Sequence, residues 1–185
     1  MTIKKTKING FYEIQNPVYS DDRGSFQQWY TQYQDNELLG FFQPVQANTS
    51  TSKKGVIRGV HFSLSREGQS KMVICLEGKI RDVAIDLRPE SSTYGEYDVV
   101  DLEAGSGKVS FIDIGLGHAF EVLSESATIV YLLSSVHSPF LEKEIDPLDK
   151  KIGIDWLTIN PILSEKDKNA QSFEEYTNRK GGHVW

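Results

Sequence analysis

The sequence predicts an all-β fold, an antiparallel sandwich or barrel, and three observations carry that reading. Between residues 71 and 133, apolar side chains recur at every second position. Turn-forming residues interrupt this alternation at short intervals. No long segment of 3.6-residue period separates the runs, as alternating strand and helix units would require.

Taken in order, Lys71–Leu76 is the first run of this stretch, and Glu77-Gly78 makes a turn. Ile80–Leu87 follows, with Val83, Ile85 and Leu87 on one face. Arg88-Pro89 ends it, because proline has no N–H for the ladder. Tyr94–Leu102 resumes after the polar segment Glu90–Thr93. Val109–Ile114, Ala119–Leu123 and Ala127–Leu133 complete five or six short strands, separated by Gly115–Gly117 and Ser124–Ser126. Helix is expected only near the end. Ser164-Glu165-Lys166-Asp167 has the form of a capping box, and Ser172–Arg179 is polar and glutamate-rich. The tail Lys180–Trp185 is expected to be loosely held unless a partner covers Trp185.

The 185 residues fit one domain. With 38% hydrophobic and 25% charged residues, the chain can build a core and is not biased toward disorder. A net charge of −6 offers no electrostatic reason to approach nucleic acid, although a few converging Arg and Lys could still hold a small anion. No apolar run approaches the roughly 18 residues that span a bilayer. Lys4, Lys5 and Lys7 precede no apolar signal core, so a cytoplasmic protein without membrane contact is expected. Cys75 is the single cysteine, which excludes an intrachain disulfide and any Cys-based zinc cluster.

Four histidines, His61, His118, His137 and His183, are the first candidates for proton transfer or metal binding. His61 is followed by Phe62 and Ser63, so the H-x-H pair of a metal centre on a β-barrel is absent there. In Gly55-Val56-Ile57-Arg58-Gly59-Val60-His61-Phe62, Arg58 and His61 would face opposite sides of a regular strand. A bulge at Gly59 would bring both to one side. From spacing alone, His61 reads as a hydrogen-bonded core or surface histidine rather than a catalytic one. Lys71 reads as an edge lysine, Tyr131 as strand filler and Asp167 as a helix cap. Arg23 and Arg58 are candidate phosphate ligands. Gln46 and Asn48, two apart, share a strand face and could bind a sugar or base through their amides.

Together these segments resemble the dTDP-4-dehydrorhamnose 3,5-epimerase family of cupin-type β-barrels, from about Tyr12 through Asp167. The carriers are D-x-R-G-x-F at residues 21–26, Q-x-N-x-S at 46–50, G-V-I-R-G-V-H-F at 55–62 and Lys71. They continue with G-K-I-R-D-V-A-I-D-L-R at 78–88, S-x-T-Y-G at 91–95 and G-x-G-H-A-F at 115–120. Tyr131, G-I-D-W at 153–156 and L-S-E-K-D at 163–167 close the series.

The resemblance implies a cupin-like antiparallel β-barrel (jelly roll) with a short C-terminal helical segment, one domain over residues 1–185. It implies an enzyme that inverts C3, C5 or both beside the C4 ketone of a nucleotide-linked 4-keto-6-deoxyhexose, without metal or other cofactor. By position, His61 is the base, Asp167 supports its imidazolium, Lys71 stabilises the enolate oxygen and Tyr131 returns the proton. Arg23, Gln46, Asn48, Arg58, His118, Glu142 and Lys166 match the family's nucleotide-sugar contacts. A homodimer is implied, with N-terminal strands in residues 1–50 of one subunit completing the other's site through Arg23 and Gln28, and residues 164–185 forming a helical tail.

The chain departs from the family at Gln28, usually a glutamate, and at His137, usually a tyrosine that stacks on thymine. Both lie at the base end of the site, which opens CDP- and GDP-linked sugars as alternatives. Ile112-Asp113-Ile114 and His118-Ala119-Phe120 replace the usual proline-containing and H-G-F forms, a difference expected to alter the loop near His118. All four catalytic positions are filled, which favours an enzyme over a non-catalytic sugar-binding cupin, and the missing H-x-H argues against a metal-dependent cupin.

Overall fold

A computed structural model describes residues 1–32, 39, 42–65 and 67–178. His183 and the Lys180–Trp185 tail lie outside the described residues, as does Arg179 at the end of the second expected helix. The described chain runs β1 (Thr2–Lys5), β2 (Phe11–Gln15), β3 (Val18–Asp21), β4 (Gly24–Gln27), β5 (Gln46–Lys53), β6 (Ile57–Ser63) and β7 (Lys71–Glu77). It continues with β8 (Lys79–Asp86), β9 (Tyr97–Glu103), β10 (Lys108–Ile112), β11 (Leu116–Val122), β12 (Ser126–Leu133) and β13 (Glu142–Glu144). Two short helices, α1 (Glu165–Lys168) and α2 (Phe173–Thr177), follow.

Two antiparallel sheets face each other as a jelly roll, in the orders β1-β2-β10-β7-β12-β5 and β13-β6-β11-β8-β9. The β3–β4 hairpin forms a separate two-stranded sheet. Strand alternation explains how the sheets meet. On β8, Ile80 and Ala84 join Val73, Cys75, Phe120 and Ile129 in the core between the sheets, whereas Val83, Ile85 and Leu87 point outward. There they pack beneath Ile145, Ile152 and Tyr176 of the C-terminal segment. The outer face of the other sheet, including Met72, Ile74 and Phe111, is covered by Leu39 and Phe42. Most central strands are therefore buried on both faces.

Two expected boundaries move. Gly115 alone turns, with φ 81°. Leu116 and Gly117 already pair with Asp86 and Ile85 of β8, and a Cβ on Gly117 would stand 2.6 Å from Val60 Cγ1, so this glycine permits close packing inside a strand. Likewise β9 starts at Tyr97, not Tyr94. Asp86 Oδ2 accepts hydrogen bonds from Ser91 Oγ at 2.6 Å and Thr93 Oγ1 at 2.7 Å, and its carbonyl accepts from Gly95 N, so that residues 91–95 turn around this buried carboxylate. Near His118, the loop that carries Asp113 is tied down by Ser70 Oγ, 3.2 Å from Asp113 Oδ1, and by Asp113 N on the Gly10 carbonyl.

Candidate active site

The six-stranded sheet contributes a row of polar side chains facing inward. In register, Asn48 on β5 lies beside Tyr131 on β12 and Val73 on β7, and Gln46 lies beside Leu133 and Lys71. Gln46 and Asn48 do share a face: Gln46 Nε2 donates to Asn48 Oδ1 at 2.9 Å. Gln46 Oε1 in turn accepts from the His137 backbone N at 2.9 Å. These two bonds fix the Gln46 amide and tie the 134–141 connection to it. Lys71 is buried, and its ammonium reaches the opposite sheet, 3.5 Å from the His61 carbonyl. It is thus an interior cation rather than an edge lysine, and Tyr131 packs against the inter-sheet core.

The five-stranded sheet contributes Arg58, His61 and His118. His118 pairs with His61, but Phe120 pairs with Arg58, so three steps on β6 match two on β11. The extra residue is a bulge at Gly59, which turns Arg58 and His61 toward the same interior side. Gly59 has φ 123°, and a Cβ there would stand 2.5 Å from Ala119 Cβ and 2.6 Å from the His118 carbonyl, so only glycine fits. Arg58 Nε then crosses to the other sheet and donates to Ser52 Oγ at 2.9 Å.

His61 Nε2 lies 2.7 Å from Asp167 Oδ1. Asp167 is buried in α1, whose N-cap Ser164 accepts from Asp167 N and donates to Asp167 Oδ2 at 2.8 Å. The expected cap is present, and the same aspartate is the histidine's partner. Burial pushes the Asp167 carboxyl up, but hydrogen bonds from His61 and Ser164 and the charges of His61 and Lys166 outweigh it and hold the group below the usual carboxylate value. With Nε2–H donated to this carboxylate, Nδ1 of His61 is the nitrogen available to take a proton. Lys166 itself makes an ion pair with Glu144 at 3.0 Å.

A second imidazole–carboxylate pair lies deeper. His118 Nε2 is 2.7 Å from Asp82 Oδ1, and Ser110 Oγ donates a short hydrogen bond to Asp82 Oδ2 from the opposite sheet. Burial pulls His118 below the ordinary imidazole value, against the opposing pull of Asp82. Burial also pulls the Lys71 ammonium down, opposed by the charges of Glu142 and Asp82. Glu142 on β13 pairs with Ser63 of β6, with its side chain only 8% exposed and Oε1 3.8 Å from His137 Nδ1.

Asp82, Ser110, Ser52 and Ser164 were not among the residues singled out from sequence as binding or catalytic. A signal existed for Asp82: the outward face of Val83, Ile85 and Leu87 leaves it on the inward, apolar face, where an acid needs a partner. Arg23 and Gln28 do not join this cluster. Both sit on or just after the β3–β4 hairpin, exposed, and Arg23 pairs with Asp21 at 2.5 Å. Among the described residues, no group of three or more His, Cys, Asp or Glu side chains is placed to hold a metal ion. No described helix is long and apolar enough to cross a membrane.

A basic imidazole on one sheet, a phenol on the other and a buried ammonium between them can remove a proton beside a carbonyl, hold the enolate and reprotonate it from the far side. Residues 5–175 match the family model described as dTDP-4-dehydrorhamnose 3,5-epimerase. The chain is 38% identical to the dTDP-4-dehydrorhamnose 3-epimerase of Streptomyces niveus over 92% of this chain and 83% of that one. It is also 38% identical to the dTDP-4-dehydrorhamnose 3,5-epimerase of Mycolicibacterium smegmatis, over 95% and 87%. The crystal structure of the Legionella pneumophila dTDP-6-deoxy-D-glucose-3,5-epimerase in complex with dTDP-4-keto-L-rhamnose superposes with a TM-score of 0.87. That match has 35% identity and covers 92% of each chain.

Proposed function

The chain belongs to the dTDP-4-dehydrorhamnose 3,5-epimerase family, and from that premise we propose how this isomerase works and on what. Its substrate is a nucleoside-diphosphate 4-keto-6-deoxyhexose, dTDP-linked as the names of its relatives indicate. His61 Nδ1 removes the proton from the carbon beside the ketone, the electron pair moves to the carbonyl oxygen, and Lys71 stabilises the resulting enolate. Tyr131 delivers a proton to the opposite face, after which His61 loses its proton to solvent and the tyrosinate regains one. The observation that carries this reading is His61 on one sheet, paired with Asp167 of α1, with Tyr131 and Lys71 on the facing sheet. Arg58, Gln46, Asn48, His118, Glu142 and Lys166 hold the nucleotide sugar.

The chain acts as one domain in a cytoplasmic homodimer, in which the β3–β4 hairpin carries Arg23 and Gln28 to the partner's site. What supports this is their exposure on a hairpin outside their own subunit's cluster. A second reading, a CDP- or GDP-linked sugar, rests on His137, which stands beside Glu142 and Gln46 where a thymine-stacking tyrosine is usual.

Proton NMR in deuterated water with dTDP-4-keto-6-deoxyglucose tests the proposal. Solvent exchange with inversion at C3 and C5 supports double epimerisation, and exchange at one carbon supports a mono-epimerase. Exchange only with CDP- or GDP-linked analogues moves the base assignment. No exchange with any of them leaves a sugar-binding protein and defeats the catalytic assignment.

A further inference from the structure

We propose that Asp82 is a positioning residue for the reaction: held by Ser110, its carboxylate fixes the His118 imidazole and provides buried counter-charge to Lys71. The inference rests on the catalytic reading above. Asp82 is fully buried, and an ionised carboxylate in such a place persists only where both oxygens are satisfied. Here they are. Ser110 Oγ from β10 takes Oδ2, and His118 Nε2 from β11 takes Oδ1 at 2.7 Å. His118 pairs in register with Ala84, two residues along from Asp82, so the contact is the diagonal one available to same-face neighbours on adjacent strands.

The geometry sets protonation states. A carboxylate at 2.7 Å accepts, so Nε2 carries the hydrogen, and burial disfavours a second proton on the ring. Nδ1 of His118 is then a lone-pair acceptor suited to a sugar hydroxyl and unable to donate to an enolate oxygen. Enolate stabilisation therefore falls to Lys71. Its surroundings comprise Glu142 on β13, Asp82 on β8, His61 on β6, whose carbonyl it touches, and His118 on β11. The charges of Glu142 and Asp82 oppose the downward pull of burial on the ammonium, so removing either weakens that opposition.

Two readouts test this. Nitrogen-15 NMR of the imidazoles in the substrate-free protein is expected to show His118 as the Nε2–H tautomer from pH 6 to 8, and as a mixture in Asp82→Asn. In the same variant, the titration of Lys71 and the alkaline limb of kcat/KM for solvent exchange both move to lower pH, and kcat falls roughly ten- to a hundred-fold. Ser110→Ala leaves Asp82 Oδ2 without its hydrogen-bond donor, so the Lys71 titration and the alkaline limb are expected to move the same way by a smaller amount, while Oδ1 still accepts from His118. It supplies the second variant should Asp82→Asn not fold. An Nδ1–H tautomer or imidazolium in the unmodified protein, or an unshifted Lys71 titration in folded Asp82→Asn, overturns the proposal. Absence of exchange by the unmodified enzyme defeats the catalytic reading alone, since the two NMR titrations need no substrate.

Discussion

His61 and His118 face each other directly across β6 and β11, and each places Nε2 2.7 Å from an aspartate. The partners differ in origin and consequence. Asp167 arrives from a capped helix near the C-terminus and leaves the His61 side chain 37% exposed. Asp82 comes from the adjacent strand, and the His118 side chain is 9% exposed. One imidazole is open to a ligand and solvent, and in the other burial works against the imidazolium.

Replacing His61 by Ala removes the proposed base, so solvent exchange at every sugar position is expected to vanish. Tyr131→Phe leaves base and Lys71 in place, so some exchange is expected to persist while inversion stops. Proton NMR in deuterated water distinguishes them, and full epimerisation by either variant would remove the assignment.

Asp167→Asn retains the size of the side chain and the backbone N–H that Ser164 caps. It removes the charge that supports the His61 imidazolium and its tautomer. A kcat lower by about a thousand-fold is expected, by analogy with other His–Asp pairs. A loss of less than ten-fold, with circular dichroism unchanged, would make Asp167 a cap alone.

Stability should fall on the acid side of neutrality. His118 titrates below its ordinary 6.5 when folded, so between the two values the unfolded chain binds more protons and stability is lost as pH falls. Asp167, also depressed, adds a loss at lower pH, as acidification approaches its folded value. Tm is expected to be level between about pH 7 and 8 and to drop below about 6.5. His118→Asn should flatten that first drop, and parallel curves for the two proteins would exclude a buried neutral His118.

Gly59→Ala places a Cβ against Ala119 and the His118 carbonyl at positive φ. A destabilisation of at least about 2 kcal/mol is expected from overpacking and backbone strain, read from the denaturant midpoint. Any variant that remains folded should lose activity, because the bulge aligns Arg58 with His61. Wild-type stability and rate would refute the role of the bulge.

His137→Tyr should raise affinity for dTDP relative to CDP, since a larger aromatic face stacks better on thymine. An unchanged ratio in competition binding would count against His137 as the base contact.

Period-two alternation over residues 71–133 was sufficient to read a strand-rich fold, because successive side chains of a strand point to opposite faces and that pattern is local. The motifs around His61, Lys71, Tyr131 and Asp167 named the family and, by resemblance, the candidate residues. Alternation could not separate a glycine that turns, Gly115, from one that allows close packing, Gly117, because both interrupt it alike.

By itself, then, the sequence determined the strand-rich class, the capped C-terminal helix and the side chains available for chemistry. Tertiary structure alone decided that Lys71 is buried with its ammonium at the His61 carbonyl of the opposite sheet, that the Gly59 bulge turns Arg58 and His61 to one side, and that Asp82 holds His118. The His61–Asp167 and His118–Asp82 contacts join residues 106 and 36 positions apart. Such pairings follow from how the strands are ordered and registered across the two sheets, and no local spacing encodes them.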